Sequence, residues 1–295
     1  MATRSTTKAP TAKASAAGST PAELRSFETI DVALRNDVAL VTLNRPDVHN
    51  AFDEKLIEEL TRALASLSQR EELRALILLA AGESFCAGAD LAWMQRMAGY
   101  DEARNVADAG ALAELLRSLA HFPRPTIARI HGQAFGGGVG LIACCDIAIA
   151  STNCAFALSE VKLGVIPATI GPYVIEALGA RAARRYMLTG ERFDAAEAYR
   201  IGLVHDLVPT IDALDARINE VLGAVMLAGP KAQAAVKELV RAVAHRPIDA
   251  QVIADTASRI AKVRAGAEAK EGMGAFLERR SPAFVPEALR KKKRR

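Results

Sequence analysis

Gln133-Ala134-Phe135-Gly136-Gly137-Gly138-Val139-Gly140-Leu141-Ile142-Ala143-Cys144-Cys145-Asp146 sets four glycines in five positions between an apolar run, Pro125 to His131, and a short apolar stretch. The pattern reads as strand, tight turn and small helix. Such a turn leaves backbone N–H groups unpaired at a helix N-terminus, where hydrogen bonds and the helix dipole hold negative charge. The guest is either a phosphate or an oxyanion. The phosphate option has a specific form here, because Gly138 to Ala143 fits the dinucleotide fingerprint G-x-G-x-x-A and Glu160 follows about 20 residues on, where that fingerprint wants an acid. Against it, about two helical turns separate Val139 from Cys145 before Asp146 to Ala150 reads as a new strand. A crossover between parallel neighbours of one sheet normally needs a dozen residues or more, so the unit reads as too short for such a pair.

Upstream, Gly82-Glu83-Ser84-Phe85-Cys86-Ala87-Gly88-Ala89-Asp90-Leu91 repeats the arrangement after the apolar run Leu73 to Ala81, which reads as a fully buried strand. Two similar turns can each present one N–H. A third block, Phe156 to Pro167, carries Ser159-Glu160 between an apolar run and Leu163-Gly164-Val165-Ile166-Pro167. Taken together the three blocks resemble the crotonase family, the enoyl-CoA hydratase/isomerase superfamily. The resemblance runs from about Phe27 to Phe284 and takes in Asn44-Arg45-Pro46, His49-Asn50-Ala51 and the stretch Glu271 to Arg280.

The order of elements is an α/β pattern. Glu28 to Arg35 and Val38 to Leu43 read as a hairpin around Asn36-Asp37. Asp53 caps a helix running to about Gln69, with Leu56, Leu60, Leu64 and Leu67 at helical spacing. Strands near 74–80, 125–130 and 146–150 then alternate with helices near 91–98, 103–120 and 139–145, and the short connections suit strands stacked in successive turns better than one doubly wound sheet. The resemblance implies a crotonase-type spiral of ββα turns with a C-terminal helical region that packs at trimer contacts. The expected division is a disordered basic tail over 1–22, a spiral α/β core over 23–211, a C-terminal helical region over 212–289 and a second basic tail over 290–295.

Of the 295 residues, 51% are hydrophobic, enough for a sizeable core, and no run of about 18 uninterrupted apolar residues marks a membrane span. Cys86, Cys144, Cys145 and Cys154 sit in apolar stretches without C-x-x-C pairing, which predicts reduced buried thiols, no zinc site and a cytoplasmic protein. The formal charge of +4 belongs to the ends. Arg4, Lys8 and Lys13 and the six basic residues 290–295 account for more than all of it, and without those nine charges the body stands at −5. A solvated charge run is the expectation, and nucleic-acid binding is not expected. No G-x-S-x-G elbow or Walker lysine occurs.

The resemblance also implies a chemistry. The two backbone donors of an oxyanion hole fall on Ala89 N–H and Gly137 N–H, aimed at a thioester oxygen that gains negative charge. Of two glutamates common in hydratases of this family, the first falls on Gly140, which has no side chain for proton transfer. The second falls on Glu160, whose carboxylate would be raised in pKa by desolvation beside a bound thioester. For an acyl-CoA substrate, the resemblance places Val48, His49, Ala51, Ala87, Asp90 and Gly136 along the binding site, and Phe276 and Arg279 at the nucleotide, reached from a neighbouring subunit. His49 is equally readable as polar surface, and Ala92 stands where a basic residue is usual. The implied function is an enoyl-CoA hydratase working as a homotrimer or homohexamer, with no cofactor or metal, CoA being part of the substrate. The stretches Gly140 to Asp146, Ser159 to Gly164 and Ile166 to Tyr173 look most like bacterial 3-methylglutaconyl-CoA and isohexenylglutaconyl-CoA hydratases. An isomerase with one base, or a non-catalytic scaffold that binds nucleic acid through its tails, stand as alternatives.

Overall fold

The computed structural model describes residues 27–290. The expected tails, 1–22 and 290–295, lie outside those residues apart from Arg290. The chain opens with a hairpin of β1 (Ile30–Arg35) and β2 (Val38–Leu43). Asn36 and Asp37 join them, both with positive φ as a tight hairpin turn demands. Then come α1 (Glu54–Ser68), β3 (Ala75–Ala80), α2 (Leu91–Met97) and α3 (Glu102–Ala120). The Asp53 carboxylate accepts the Leu56 N–H at 2.8 Å and fixes the start of α1. Leu56, Leu60, Leu64 and Leu67 are buried on one face of that helix, each stabilising the packing by about 1.5–3 kcal/mol.

The next turns are β4 (Thr126–Ile130), β5 (Gln133–Phe135), α4 (Gly137–Cys144), β6 (Ile147–Ser151) and β7 (Ala155–Ala157). After them follow α5 (Gly171–Thr189), β8 (Arg192–Asp194), α6 (Ala195–Arg200) and β9 (Asp206–Val208). The chain ends in α7 (Ile211–Leu227), α8 (Pro230–Val243), α9 (Ala250–Ala265) and α10 (Ala267–Leu277).

Two sheets form the spiral. One has the order β1-β2-β3-β4-β6-β9, parallel after the first hairpin, and the other has the order β5-β7-β8. Each turn of chain thus adds a strand to the first sheet, crosses to the second, and returns through a helix. Two details correct the sequence reading. The run Pro125 to His131 does not lead directly into the glycines: β4 stops at Ile130, the chain turns at Gly132, and β5 of the other sheet precedes them. At Gly132 φ is +64° and a Cβ would overlap the Glu83 carbonyl, so this turn is open to glycine alone. Secondly, β4 and β6 are parallel neighbours after all. Residues 131–146 span the crossover as strand plus helix, and β5 supplies the length that α4 lacks.

Candidate functional site

Three stretches of chain run side by side in the same direction. Cys86 forms a parallel bridge with Ala134, and β5 pairs in parallel with β7, Phe135 opposite Ala157. Ala89 and Gly137 each lie three residues beyond the Cys86–Ala134 bridge, so the register sets them level. Carried onto β7, the same register puts Ser159 level with Gly137 and Glu160 one residue further. All three candidate groups therefore sit just past the C-terminal ends of parallel strands, where open α/β sheets gather their functional groups.

The Ala89 N–H is directed by its neighbours. Phe52 N–H donates to the Gly88 carbonyl at 2.7 Å and Asp90 N–H donates to the Phe52 carbonyl at 2.8 Å. In a parallel bridge of this kind, the residue between the two bonding positions turns its own N–H the other way. That direction is the β5 side. Gly137 begins α4, where no helical carbonyl is available to its N–H. Among the described residues neither N–H has an acceptor.

Glu160 completes the cluster. A Cβ placed on Gly136, whose φ is +49°, would stand 3.0 Å from Glu160 Oε1 and 3.9 Å from Gly88 Cα. The carboxylate is thus pressed against the glycine turn beside the other loop. Its Oε2 is buried with no hydrogen-bond partner. Burial pushes the Glu160 carboxyl above the ordinary glutamate value of 4.5, opposed only by a hydrogen bond to its own backbone. No neighbouring charge contributes.

The remaining predicted residues divide. Val48, His49 and Ala51 lie in the turn against the 82–90 loop: the His49 carbonyl accepts Ala87 N–H at 2.9 Å, and His49 Nδ1 is 3.1 Å from Ser84 Oγ. The Asp90 carboxylate is committed to the fold. Oδ1 accepts the N–H groups of Ala92 and Trp93, capping α2, and Oδ2 meets Arg45 at 3.1 Å. Burial alone would raise its pKa, but the Trp93 and Ala92 N–H groups and Arg45 outweigh it and hold the carboxyl below its ordinary value. What Asp90 offers a ligand is backbone. Phe276 and Arg279 stand exposed at the end of α10, whose principal packing partners are α8 and α9. They are not gathered with the three turns.

Two residues of this region carry roles that the sequence reading did not assign. Asn50, wholly buried, accepts Arg45 N–H and donates to the Ala81 and Ser84 carbonyls at 2.8 Å each, pinning the 82–90 loop. Arg45 joins Asp53 at 2.8 Å to Asp90 and also donates to the Ala51 carbonyl. Both stand in the polar run Asn44 to Asn50, and no local signal marks their roles, since the partners Ala81, Ser84 and Asp90 lie on a remote loop.

The model of the enoyl-CoA hydratase/isomerase family matches residues 33–287. The chain belongs to that family. Among solved structures, an enoyl-CoA hydratase from Shewanella pealeana superposes with a TM-score of 0.86 at 45% identity, covering 88% of this chain and 97% of the other. Pseudomonas aeruginosa AtuE gives a TM-score of 0.82 at 36% identity over 88% of this chain and 100% of its own. A crotonyl-CoA hydratase of Syntrophomonas wolfei is 32% identical over 266 residues, 88% of this chain and 99% of the relative. The spiral is accordingly the crotonase fold, and the chain is a member of an enzyme family. Among the described residues no helix of this family member is long and apolar enough to cross a membrane, and the four cysteines are free and buried.

Proposed function

We propose that the protein is an enoyl-CoA hydratase that adds water across the 2,3 double bond of an acyl-CoA thioester. The observation that carries this is the pairing of two unengaged N–H groups, on Ala89 and Gly137, with a partly buried, elevated-pKa carboxylate on Glu160. The thioester carbonyl oxygen lies against the two N–H groups. Water attacks Cβ as ionised Glu160 takes one of its protons; the double-bond electrons move to the carbonyl oxygen, giving an enolate that the donors stabilise by several kcal/mol. Collapse of the enolate takes the proton from Glu160 to Cα, which leaves hydroxyl on Cβ and hydrogen on Cα. No cofactor or metal enters, since CoA arrives with the substrate. Glu160→Gln should leave fold and CoA affinity intact while hydration falls about 10²-fold or more. Wild-type turnover in that variant, followed by loss of enoyl-CoA absorbance, would remove Glu160 from the mechanism.

For the acyl group we propose a 3-methylglutaconyl-like chain with its own carboxylate. Support comes from the sequence likeness of the 140–146 and 159–173 stretches and from Gly140, which supplies no second acid. 3-Methylglutaconyl-CoA should therefore outrun crotonyl-CoA in kcat/KM, and equal values would discard the proposal. The lone carboxylate also supports a second reading, 3,2-enoyl-CoA isomerisation, in which one base takes and returns the same proton. Faster turnover of a 3-enoyl-CoA than of either hydration substrate would select it.

We also propose that the working unit is a trimer or a dimer of trimers. Val236 and Val240 on α8, Ile253 and Ile260 on α9, and Met273 and Phe276 on α10 are all about half exposed or more, apolar side chains that a subunit contact would cover. A groove of about 640 Å³ lies between these helices, lined by Ala235, Val263, Met273 and Phe284 among others. Phe276 and Arg279, whose guanidinium has no partner among the described residues, would reach a neighbour's nucleotide from this face. Light scattering at micromolar concentration that reports a monomer would rule the assembly out.

A further inference from the structure

Apart from a hydrogen bond to its own backbone, no polar partner or neighbouring charge holds the Glu160 carboxylate among the described residues, and its Oε2 is unpartnered. Its position therefore depends on the loop that bears it. That loop is exposed. From the end of β7 the last buried residue is Leu158 and the next is Ile170, and between them Leu163, Val165 and Ile166 are 61%, 54% and 73% exposed. The backbone hydrogen bonds of this stretch are local, such as Val165 N–H to the Glu160 carbonyl and Ala168 N–H to the Ile166 carbonyl. The loop's buried fastenings are Leu158 before Glu160 and Ile170 after it, while the exposed Lys162 lays its methylenes over Gly190 at the end of α5.

The second fastening has a particular form. Gly140 on α4 lacks a Cβ, and one built there would come within 2.3 Å of Ile170 Cγ2, 2.9 Å of Ile170 Cβ and 3.6 Å of Leu116 Cδ2. The isoleucine side chain therefore sits directly on the helix backbone, in the space any side chain at 140 would need. Ile170 is 3% exposed and opens α5, so its fit on Gly140 also sets where that helix begins. Gly140 lies one turn along the same face of α4 as Gly137. One rigid helix thereby carries a proposed N–H donor at its first turn and, through Ile170, the anchor of the Glu160 loop.

We propose that Ile170 is a positioning residue for Glu160: seated on the bare backbone of Gly140, it fixes the far end of the loop and so holds the carboxylate beside Gly136. The inference rests on Glu160 being the proton-transfer group. Loosening the anchor lets the loop swing outward and admits water to the carboxylate, whose raised pKa then relaxes downward. Among the described residues no charged group acts on Glu160, and Lys162, two residues on, folds its methylenes over Gly190.

The test compares Ile170→Ala, Ile170→Val and Gly140→Ala, each checked for fold by circular dichroism, with wild type. Ile170→Ala should lower kcat for crotonyl-CoA hydration about 10-fold, as sub-ångström to ångström misplacement does. KM should change less than about twofold, since Ile170 is buried against α4, and the acid limb of the kcat profile should move to lower pH. Ile170→Val should fall between, and Gly140→Ala, which places a methyl in the same space, should match Ile170→Ala. If Ile170→Ala does not fold, Ile170→Val carries the test by its acid limb. A folded variant with a lower Tm but wild-type kcat and an unmoved acid limb overturns the inference, reducing Ile170 to packing. If Glu160→Gln itself retains wild-type turnover, the underlying reading fails first.

Discussion

The two turns that offer an N–H reach the same end by opposite means. The 82–90 turn is tied by polar side chains: Asn50 bonds two of its carbonyl neighbours, Asp90 caps α2, and Arg45 bridges Asp90 to Asp53. The 132–140 turn has no side-chain cap at all. It is shaped by close approach, with the Phe52 ring, Glu160 and Ile170 filling the places where Cβ atoms would stand on Gly137, Gly136 and Gly140. The polar turn is a network in which one missing member leaves others partly satisfied. The glycine turn is a fit that one added carbon spoils.

The largest effect should therefore come from Gly136→Ala. The added methyl meets both an unfavourable positive φ and Glu160 Oε1 at 3.0 Å, and so displaces the proposed oxyanion donor on Gly137 and the carboxylate together. Hydration should fall about 10³-fold with the far-ultraviolet spectrum unchanged; a loss under tenfold would mean that the turn tolerates a carbon. On the polar side, Arg45→Leu should cost about 2 kcal/mol in urea unfolding, because two partly buried carboxylates lose their shared cation. Its activity loss should stay near tenfold, and a loss rivalling Gly136→Ala would erase the contrast. Asp90→Ala removes a helix cap and should cost about 1 kcal/mol with a smaller kinetic effect.

The smallest effect expected is thermodynamic and belongs to Glu160. Its folded-state pKa lies above its unfolded one, so the folded state binds the proton more tightly, and the stability from that proton is present at low pH and lost as pH rises through the raised pKa. Glu160→Gln, which is never charged, should therefore raise Tm at pH 8 and converge on wild type near pH 4. A gain confined to low pH would contradict the burial of the carboxylate. In the wild-type enzyme, hydration should fall on acidification through a pKa above 4.5, the direction required of a base that must be ionised.

Long periodic elements were readable from residue order. The leucine spacing of α1 with its Asp53 cap, the β1–β2 hairpin and the buried run of β3 all left local patterns that match their final form. β5, β7, β8 and β9 did not, because three-residue strands are too short for alternation to show. Gly132 looked like one more glycine of a rich turn, and nothing local says that the chain changes sheet there. At the candidate site, small residues marked each turn, while the donors assigned to Ala89 and Gly137 came from the family resemblance. Gly140 announced an absent carboxylate, but the isoleucine that fills its place is remote in sequence and ordinary in type. The roles of Arg45 and Asn50 were equally hidden, since they depend on loops that meet only when the spiral closes.

Arg74, at the foot of β3, is buried and pairs with no carboxylate among the described residues. Its guanidinium donates instead to the carbonyls of Phe284 at 2.8 Å, Met226 at 3.3 Å and Ala228 at 2.7 Å. These acceptors stand more than 150 residues further along the chain. A permanent cation can leave water only when such acceptors are already in place. The strand layer therefore cannot shed its last hydration until the closing helices have docked and brought the carbonyls of Met226 and Ala228, at the end of α7, onto Arg74. Folding and unfolding of the two parts should be one cooperative transition, and a chain cut after α6 should expose a wet, charged foot on its central strand.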